Sequence, residues 1–465
     1  MLLLGTCSTI ITPESPVGLP MGGYGDRSKT CTGVADELTA SVFYLEIQDN
    51  PLFLISLDLV GISSSVLDHY RRKFSEILDV PFKSIIISCT HSHSTFESIG
   101  LLGKGIVPGI ITSRLQTAVI NRIMRKILVA MKRASAEPSL SRVRMGYSKF
   151  SPGDIARNRR NKKDEVDPKV MVVKFVDYAD PSVLKGLIVN FGVHCTILGP
   201  GNTLLSGDWA GSLRRHLERA LSSRSDVPRN HNPEYLHQDV CVGIFQGAEG
   251  NINPHFSEEI WNPSIKQKYI NQDSSNLRTQ NYIFPRVEAY GEYIANRVME
   301  ELHSIECKDV ESYKNQCRKI SIPTESIKLS SNFKDIMKYI SDQFYKKLLL
   351  WLFSFVNSEI LGFMNIEDNH HRSYCHVVQL GDLFLVLSPG EMFYEYGQRL
   401  MRHNGGKYYG STLIFGLAND YSSYLYPVQG FAKGGYENVF QLAPKAGPYI
   451  VGALLRMLKN LTNSD

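Results

Sequence analysis

The residues with the clearest chemical potential stand at Ser84–Ser94, where Ser-Ile-Ile-Ile-Ser-Cys-Thr-His-Ser-His-Ser sets His91 and His93 two apart. In an extended segment successive side chains alternate faces, so residues two apart point the same way. Two imidazoles leaving a buried strand on one face could form a metal corner or an acid/base pair. A strand-end loop carrying two solvated histidines fits the same stretch.

Other chemistry-bearing residues recur in this setting. His194 ends the apolar run Lys185–Val193, and the turn Gln246–Pro254 follows Val240–Phe245. Glu391 follows Leu383–Leu387, and Tyr424 follows Ser411–Leu417. Ligand sites in α/β sheets gather beyond the carboxyl ends of strands. Two or three imidazoles and a carboxylate from separate elements match the donor types of a catalytic zinc centre. No H-E-x-x-H or other compact metal motif occurs. Each residue also has an ordinary role open to it. Glu391 could cap a following helix, Tyr424 and Tyr436 could be half-buried tyrosines, and His194 could be a hydrogen-bonded strand-end histidine.

The elements that must position these residues read as strands alternating with helices. Thr39–Ile47 and Pro51–Leu59 are β-rich runs joined at Asp49-Asn50, a hairpin signal. Leu67–Leu78 and Ser113–Ala134 have helical periodicity, the second with Val119, Ile120, Ile123, Ile127, Leu128 and Ala130 between basic residues. Strands are expected over Arg142–Tyr147, Lys169–Val176 and Cys375–Leu380. Helices are expected over Pro285–His303, Ile336–Phe355, from Glu391 to about Arg402, and over Gly447–Leu458. Ser206 or Asp208 is placed to cap the helix Ala210–Leu221.

Residues 1–37 lack clear periodicity, and their segment Pro20–Gly25 suits a loop lining a pocket. Residues 255–283 read as loop. The basic run Arg157–Lys163, followed by Asp164, Glu165 and Asp167, reads as solvated. The pattern argues an α/β fold of mixed sheets flanked by helices, one domain over 1–465, with insertions near 222–238, 255–283 and 305–372.

At 465 residues, with 43% hydrophobic and 21% charged, the composition is that of a soluble globular protein. A formal charge of +5, spread along the chain, leaves no nucleic-acid footprint. No segment reaches the ~18 apolar residues of a membrane span. Met1–Leu4 lacks a basic flank and Pro13 and Glu14 interrupt the apolar run, so no signal peptide is expected. Eight scattered cysteines without C-x-x-C suggest a reducing compartment, the cytoplasm by default. Oligomeric state is not legible.

Several segments together carry a resemblance. They are Ile11-Thr-Pro13 with Met21-Gly-Gly-Tyr24, Ser88-Cys-Thr-His-Ser-His-Ser94, Asn158-Arg-Arg160 and Asn190-Phe-Gly-Val-His194. Gln246–Pro254, Pro389-Gly-Glu391, Gly416–Tyr424 and Gly434-Gly-Tyr-Glu437 follow in order. In these the chain resembles the catalytic domain of the neutral ceramidases, the non-lysosomal N-acylsphingosine amidohydrolases of sphingolipid metabolism, and above all their short bacterial-type relatives. The family's C-terminal immunoglobulin-like domain has no counterpart in the segments matched.

The resemblance implies a Zn2+ hydrolase acting on an N-acyl amide through metal-activated water, with a lipid or smaller amide as substrate. It implies His91, His194, Glu391 and Tyr424 as metal ligands. It makes His93 a substrate contact or proton carrier, Arg159 and Tyr436 donors near the amide carbonyl, and Gly23 a backbone contact to a substrate hydroxyl. One departure touches the chemistry. Where ceramidases proper carry a serine proposed as nucleophile, this chain has Asn253, and a carboxamide forms no acyl-enzyme by oxygen attack. The usual S-G-P-G-G after the histidine pair is replaced by Ser94-Thr-Phe-Glu-Ser98, which alters the pocket wall. A zinc esterase, and a catalytically degenerate homologue binding a lipid or a partner, are the competing expectations.

Overall fold

The strand Thr39–Ile47 is buried on both faces. Phe43, Leu45 and Ile47 join one apolar layer, and Val42 and Tyr44 another. Such a strand reads as a continuous hydrophobic run because neither face meets water. Its hairpin partner Asn50–Leu57 divides the same way, with Leu52 and Leu54 on one side and Phe53, Ile55 and Leu57 on the other. The reason is a second sheet lying against the first.

The computed structural model describes all residues except 25, 26, 28, 100–107, 223–234, 237–239, 273–282, 324–365, 368–369, 433–436, 438–444 and 463–465. The large sheet runs in the order Cys241–Gln246, Leu184–Phe191, Val170–Asp177, Ser141–Phe150, Leu2–Ile10, Thr39–Ile47, Asn50–Leu57, Ile85–Cys89, and Tyr235–Leu236 pairs with Leu2–Ile10. Its outermost pairs are parallel and those between are antiparallel. The small sheet runs Tyr313–Pro323, His370–Leu380, Leu383–Leu387, Thr412–Phe415, with Ile366–Glu367 beside His370–Leu380. Its last pair is parallel.

Between the sheets Phe43, Leu54 and Ile86 pack with Val378, Leu385, Leu413 and Phe415, and Phe245 stacks on Phe415 at 4.3 Å between ring centres. Each fully buried side chain of this kind contributes about 1.5–3 kcal/mol against leaving it in water. Helices cover the outer faces. Ser64–Leu78 and Pro108–Ala134 pack on the Val42 side, Asp208–Leu221 and Ile283–Leu302 cover Leu187, Val189 and Val242, and Ala446–Thr462 lies on the small sheet. The helix Pro108–Ala134 buries Ile120, Ile123, Ile127 and Ala130, the stripe its periodicity predicts. The result is an α/β fold with mixed sheets flanked by helices.

Four local expectations need correction. Residues 1–37 contain Leu2–Ile10, a central strand, because both of its neighbours are antiparallel partners that its own weak alternation does not announce. Residues 255–283 include the helix Pro263–Gln272. Tyr313–Pro323 is an eleven-residue strand inside an expected insertion, paired along its whole length with His370–Leu380. Neither Ser206 nor Asp208 is the cap residue of the helix Asp208–Leu221, whose N-cap is Gly207 without a side-chain bond. Asp208 instead accepts from the amides of Leu198 at 2.9 Å and Trp209 at 2.7 Å, bracing the turn after His194. The helix expected at Ile336–Phe355 lies outside the described residues. All eight cysteines are free thiols. Among the described residues no helix is long and apolar enough to cross a membrane.

Candidate metal centre

Parallel strand pairs send their carboxyl ends the same way, and the histidines follow from that. Ile85–Cys89 runs parallel to Asn50–Leu57, and the chain after Cys89 turns immediately. His91 takes φ +63, a backbone conformation uncommon for a residue with a side chain, held by its amide bonding to Leu59 O at 3.0 Å. Leu184–Phe191 runs parallel to Cys241–Gln246, and His194 is fixed by its amide to Ile252 O at 2.9 Å. Gln246 links the two turns, its Nε2 donating to Thr90 O at 3.1 Å and Val193 O at 2.9 Å. The small sheet supplies the opposing wall. Beyond Leu383–Leu387 and Thr412–Phe415 the chain pairs once more in parallel, with Glu391 in register with Tyr424.

These elements bring three imidazoles together. One ligand nitrogen from each of His91, His93 and His194 lies within 4.8 Å of the others, and all three rings are buried. Glu391 Oε2 stands 3.1 Å from His194 Nε2 and 3.3 Å from His91 Nε2. The far side of each ring fixes the tautomer. His91 Nδ1 donates to Val60 O at 2.6 Å, and His194 Nδ1 donates to Glu249 O at 2.8 Å. Their Nε2 atoms are therefore left as lone-pair donors aimed at an ionised carboxylate. With both rings neutral, three acceptors face one another, and the nearest donors are Arg159 NH1 beside His194 Nε2 and the His93 ring beside His91 Nε2. A cation of the zinc type fits that arrangement, and metal-binding histidines are held by backbone carbonyls in this way.

The electrostatics agree. Burial, with Arg159 nearby, pushes His194 down to about 4. Burial pushes His93 well below its usual range, with His91 and His194 adding to the effect. Burial works to raise Glu391, but the imidazoles of His91 and His194 outweigh it and hold the carboxyl well below the ordinary carboxylate range. A neutral His194 beside an ionised Glu391 is the protonation pattern a metal requires.

The other residues singled out in the sequence surround this group. His93 Nε2 lies 3.1 Å from His91 Nε2, and its Nδ1 has no partner. Gly23, at φ +91, packs on the His93 ring so closely that a Cβ there would stand 2.5 Å from Cγ. Tyr24 meets the same ring edge-on. Arg159 NH1 lies 3.2 Å from His194 Nε2. Tyr424 is buried and hydrogen-bonded to Arg159, whose guanidinium sits 5.4 Å from its ring centre. Asn253 is half-buried with its backbone paired to Arg157, and its side chain makes no hydrogen bond to the histidines. Tyr436 lies outside the described residues. The basic run is not wholly solvated, because Arg159 and Arg160 turn inward to the buried Glu437 at 3.0 and 2.6 Å.

Three residues of the site were not singled out in the sequence. Tyr421 donates to Glu391 Oε1 at 2.8 Å. Glu249 is buried with neither carboxylate oxygen hydrogen-bonded, and burial with the nearby Glu391 pushes its carboxyl well up. Glu437 grips Arg159. All three fall within segments that carry the resemblance, and that membership was the available signal.

Comparison with known proteins gives the family. The model of the neutral/alkaline non-lysosomal ceramidase N-terminal domain matches residues 3–323. The chain is 24% identical over 281 residues to a neutral ceramidase of Pseudomonas aeruginosa, covering 56% of this chain and 38% of that protein. It is 28% identical over 260 residues to neutral ceramidase 2 of Arabidopsis thaliana, covering 49% and 32%. It thus spans well under half the length of these relatives. The crystal structure of the Pseudomonas aeruginosa neutral ceramidase superposes with a TM-score of 0.69 at 18% identity, over 98% of this chain and 73% of that one. A structure of a ceramidase complexed with C2 gives 0.68 at 17% identity, over 100% and 75%. Two-thirds of this sequence matches the family model and nearly all of its fold is shared with ceramidase structures: the chain belongs to the neutral/alkaline non-lysosomal ceramidase family.

Proposed function

We propose that the protein is a zinc-dependent amidohydrolase cleaving the N-acyl bond of a ceramide-like lipid or a related amide. The observation that carries this reading is the convergence of His91 Nε2 and His194 Nε2 on Glu391 Oε2, with both Nδ1 protons turned away to backbone carbonyls. His91, His194 and Glu391 would hold the ion, with Tyr424 as the fourth ligand. When bound, the ion supplies Lewis acidity and brings the pKa of a water towards ~7.

The chain's own residues do the rest. Glu249 and Val60 fix the rings through their carbonyls. Arg159 presents a guanidinium N–H beside His194, where it would stabilise charge developing on the acyl oxygen. Tyr436 would be the second donor there. His93, with its unpartnered Nδ1, would contact the substrate or carry a proton to the leaving amine. Gly23 brings backbone against that ring and would meet a substrate hydroxyl.

In this reading Asn253 is not a nucleophile. Asn253→Ala is expected to keep activity within about tenfold of the parent. A loss above about a thousandfold, with metal retained, would mean the reaction runs through that side chain. Matched N-acyl amide and ester substrates separate an amidohydrolase from an esterase. Zinc-loaded protein that turns over neither would favour a binding homologue.

A further inference from the structure

We propose that Glu437 is a positioning residue for this reaction: it holds the Arg159 guanidinium from behind so that one N–H edge faces the His194 side of the cavity. The inference rests on the reading that Arg159 serves the acyl oxygen. A guanidinium is planar, with donors in a fixed fork, so fixing two of its nitrogens fixes the direction of the third. Arg159 Nε donates to Glu437 Oε1 at 3.0 Å, and NH2 donates to Gly250 O at 2.9 Å. NH1 lies 3.2 Å from His194 Nε2, and the guanidinium also meets the Tyr424 hydroxyl on the site side.

The second carboxylate oxygen is anchored as well. Arg160 NH1 donates to Glu437 Oε2 at 2.6 Å, and Arg160 NH2 donates to Gly430 O at 2.8 Å. Glu437 is 3% exposed, and its partners lie 277 and 278 residues away in sequence. The other anchor is equally constrained. Gly250 sits where a Cβ would stand 2.6 Å from Glu391 O, so the carbonyl that receives NH2 is locked against the backbone of a metal-ligand candidate. A buried carboxylate bridging two guanidinium groups through charge-assisted hydrogen bonds gives direction as much as energy. Were Glu437 present only to neutralise charge, one arginine would suffice, and the aim of NH1 would not depend on it.

The test compares Glu437→Gln in the parent and in an Arg159→Lys background, using the full chain loaded with zinc. In the parent, Glu437→Gln is expected to lower kcat on an N-acyl amide about 10–100-fold, with KM within about threefold and zinc content and folding midpoint retained. In the Arg159→Lys background the same substitution is expected to cost less than about threefold, because a residue that acts through Arg159 loses its effect with it. Equal losses in both backgrounds, or no loss in the parent, would overturn the proposal. A second readout is independent of turnover. Phenylglyoxal should modify Arg159, located by mass spectrometry, several-fold faster in Glu437→Gln than in the parent. An unchanged labelling rate counts against the proposal even if the parent hydrolyses no amide, a result that would sink the functional reading alone.

Discussion

Two buried imidazole–carboxylate groups share one loop, and they differ in how their polar atoms are matched. At the first, Asp420 Oδ2 accepts from His371 Nε2 and Ser422 Oγ, each at 2.7 Å, while Oδ1 accepts from the amides of Ser64 at 2.6 Å and Tyr421 at 2.8 Å. Both oxygens meet donors. At the second, Glu391 Oε1 has the Tyr421 hydroxyl, but Oε2 faces the lone pairs of two imidazoles. The Asp420 carboxylate is matched without an ion, although His371 Nδ1 has no partner, whereas Glu391 Oε2 meets two ring nitrogens that are acceptors when the rings are neutral. A set of buried acceptors unmatched when the rings are neutral calls for an explanation, and the proposed cation would supply one. The groups are also joined in series. Asp420 pins the loop from which Tyr421 and Tyr424 reach the site, so the structural cluster positions the chemical one.

The contrast can be broken by substitution. Glu391→Gln should cost activity about a thousandfold or more, together with metal, since a ligand is lost. At alkaline pH, with the rings neutral, folding stability of the metal-free protein should hold or rise, because an amide N–H now faces the imidazole lone pairs. Asp420→Ala should do the reverse in stability, costing about 2–4 kcal/mol in a denaturant titration, because buried donors lose their acceptor. Equal stability losses for the two variants would erase the distinction.

Chelation sharpens it further. Removing metal should lower the melting temperature of the parent and abolish turnover, with recovery on adding zinc back. It should leave the melting temperature of Glu391→Gln unchanged. A parent indifferent to chelator would contradict the assignment.

A smaller effect concerns pH and the same strand as His371. His376 bonds Asn315 Oδ1 at 2.6 Å, and burial, with Arg71 and Lys83 adding to it, pushes it down to about 3. The unfolded chain, with an ordinary histidine near 6.5, takes up a proton at higher pH than the folded one does. Its contribution is therefore full above about pH 6.5 and falls as pH drops towards 3, by about 1.4 kcal/mol per pH unit. Denaturant titrations of the parent and His376→Gln across that window should show a shallower slope in the variant. Parallel slopes would show that His376 is not the group responsible. The mildest expectation is Tyr421→Phe, at about 0.5–1.5 kcal/mol of stability, as one hydrogen bond to Glu391 is lost.

The sequence made the strand-end residues visible because buried strands that stop at a polar turn have a distinctive pattern. His91, His93, His194 and Glu391 all stood in that pattern, and the structure brings them together. What it hid was whatever depends on partners distant in the chain. Leu2–Ile10 lacked alternation of its own, yet two antiparallel neighbours make it central. Tyr313–Pro323 is specified by eleven paired positions on His370–Leu380, none of which is local. Arg159 read as part of a solvated run because the carboxylate that turns it inward lies 278 residues on. The tautomers of His91 and His194 rest on the carbonyls of Val60 and Glu249, and backbone oxygens carry no signature in side-chain type.

The central claim is that this acceptor cluster is a metal site. Elemental analysis of the purified chain beside its His194→Ala variant tests it most directly. About one zinc per chain in the parent, and its loss in the variant with the fold intact, is the predicted result. Full zinc occupancy in His194→Ala, or hydrolysis of an N-acyl amide by metal-free parent protein, would contradict it.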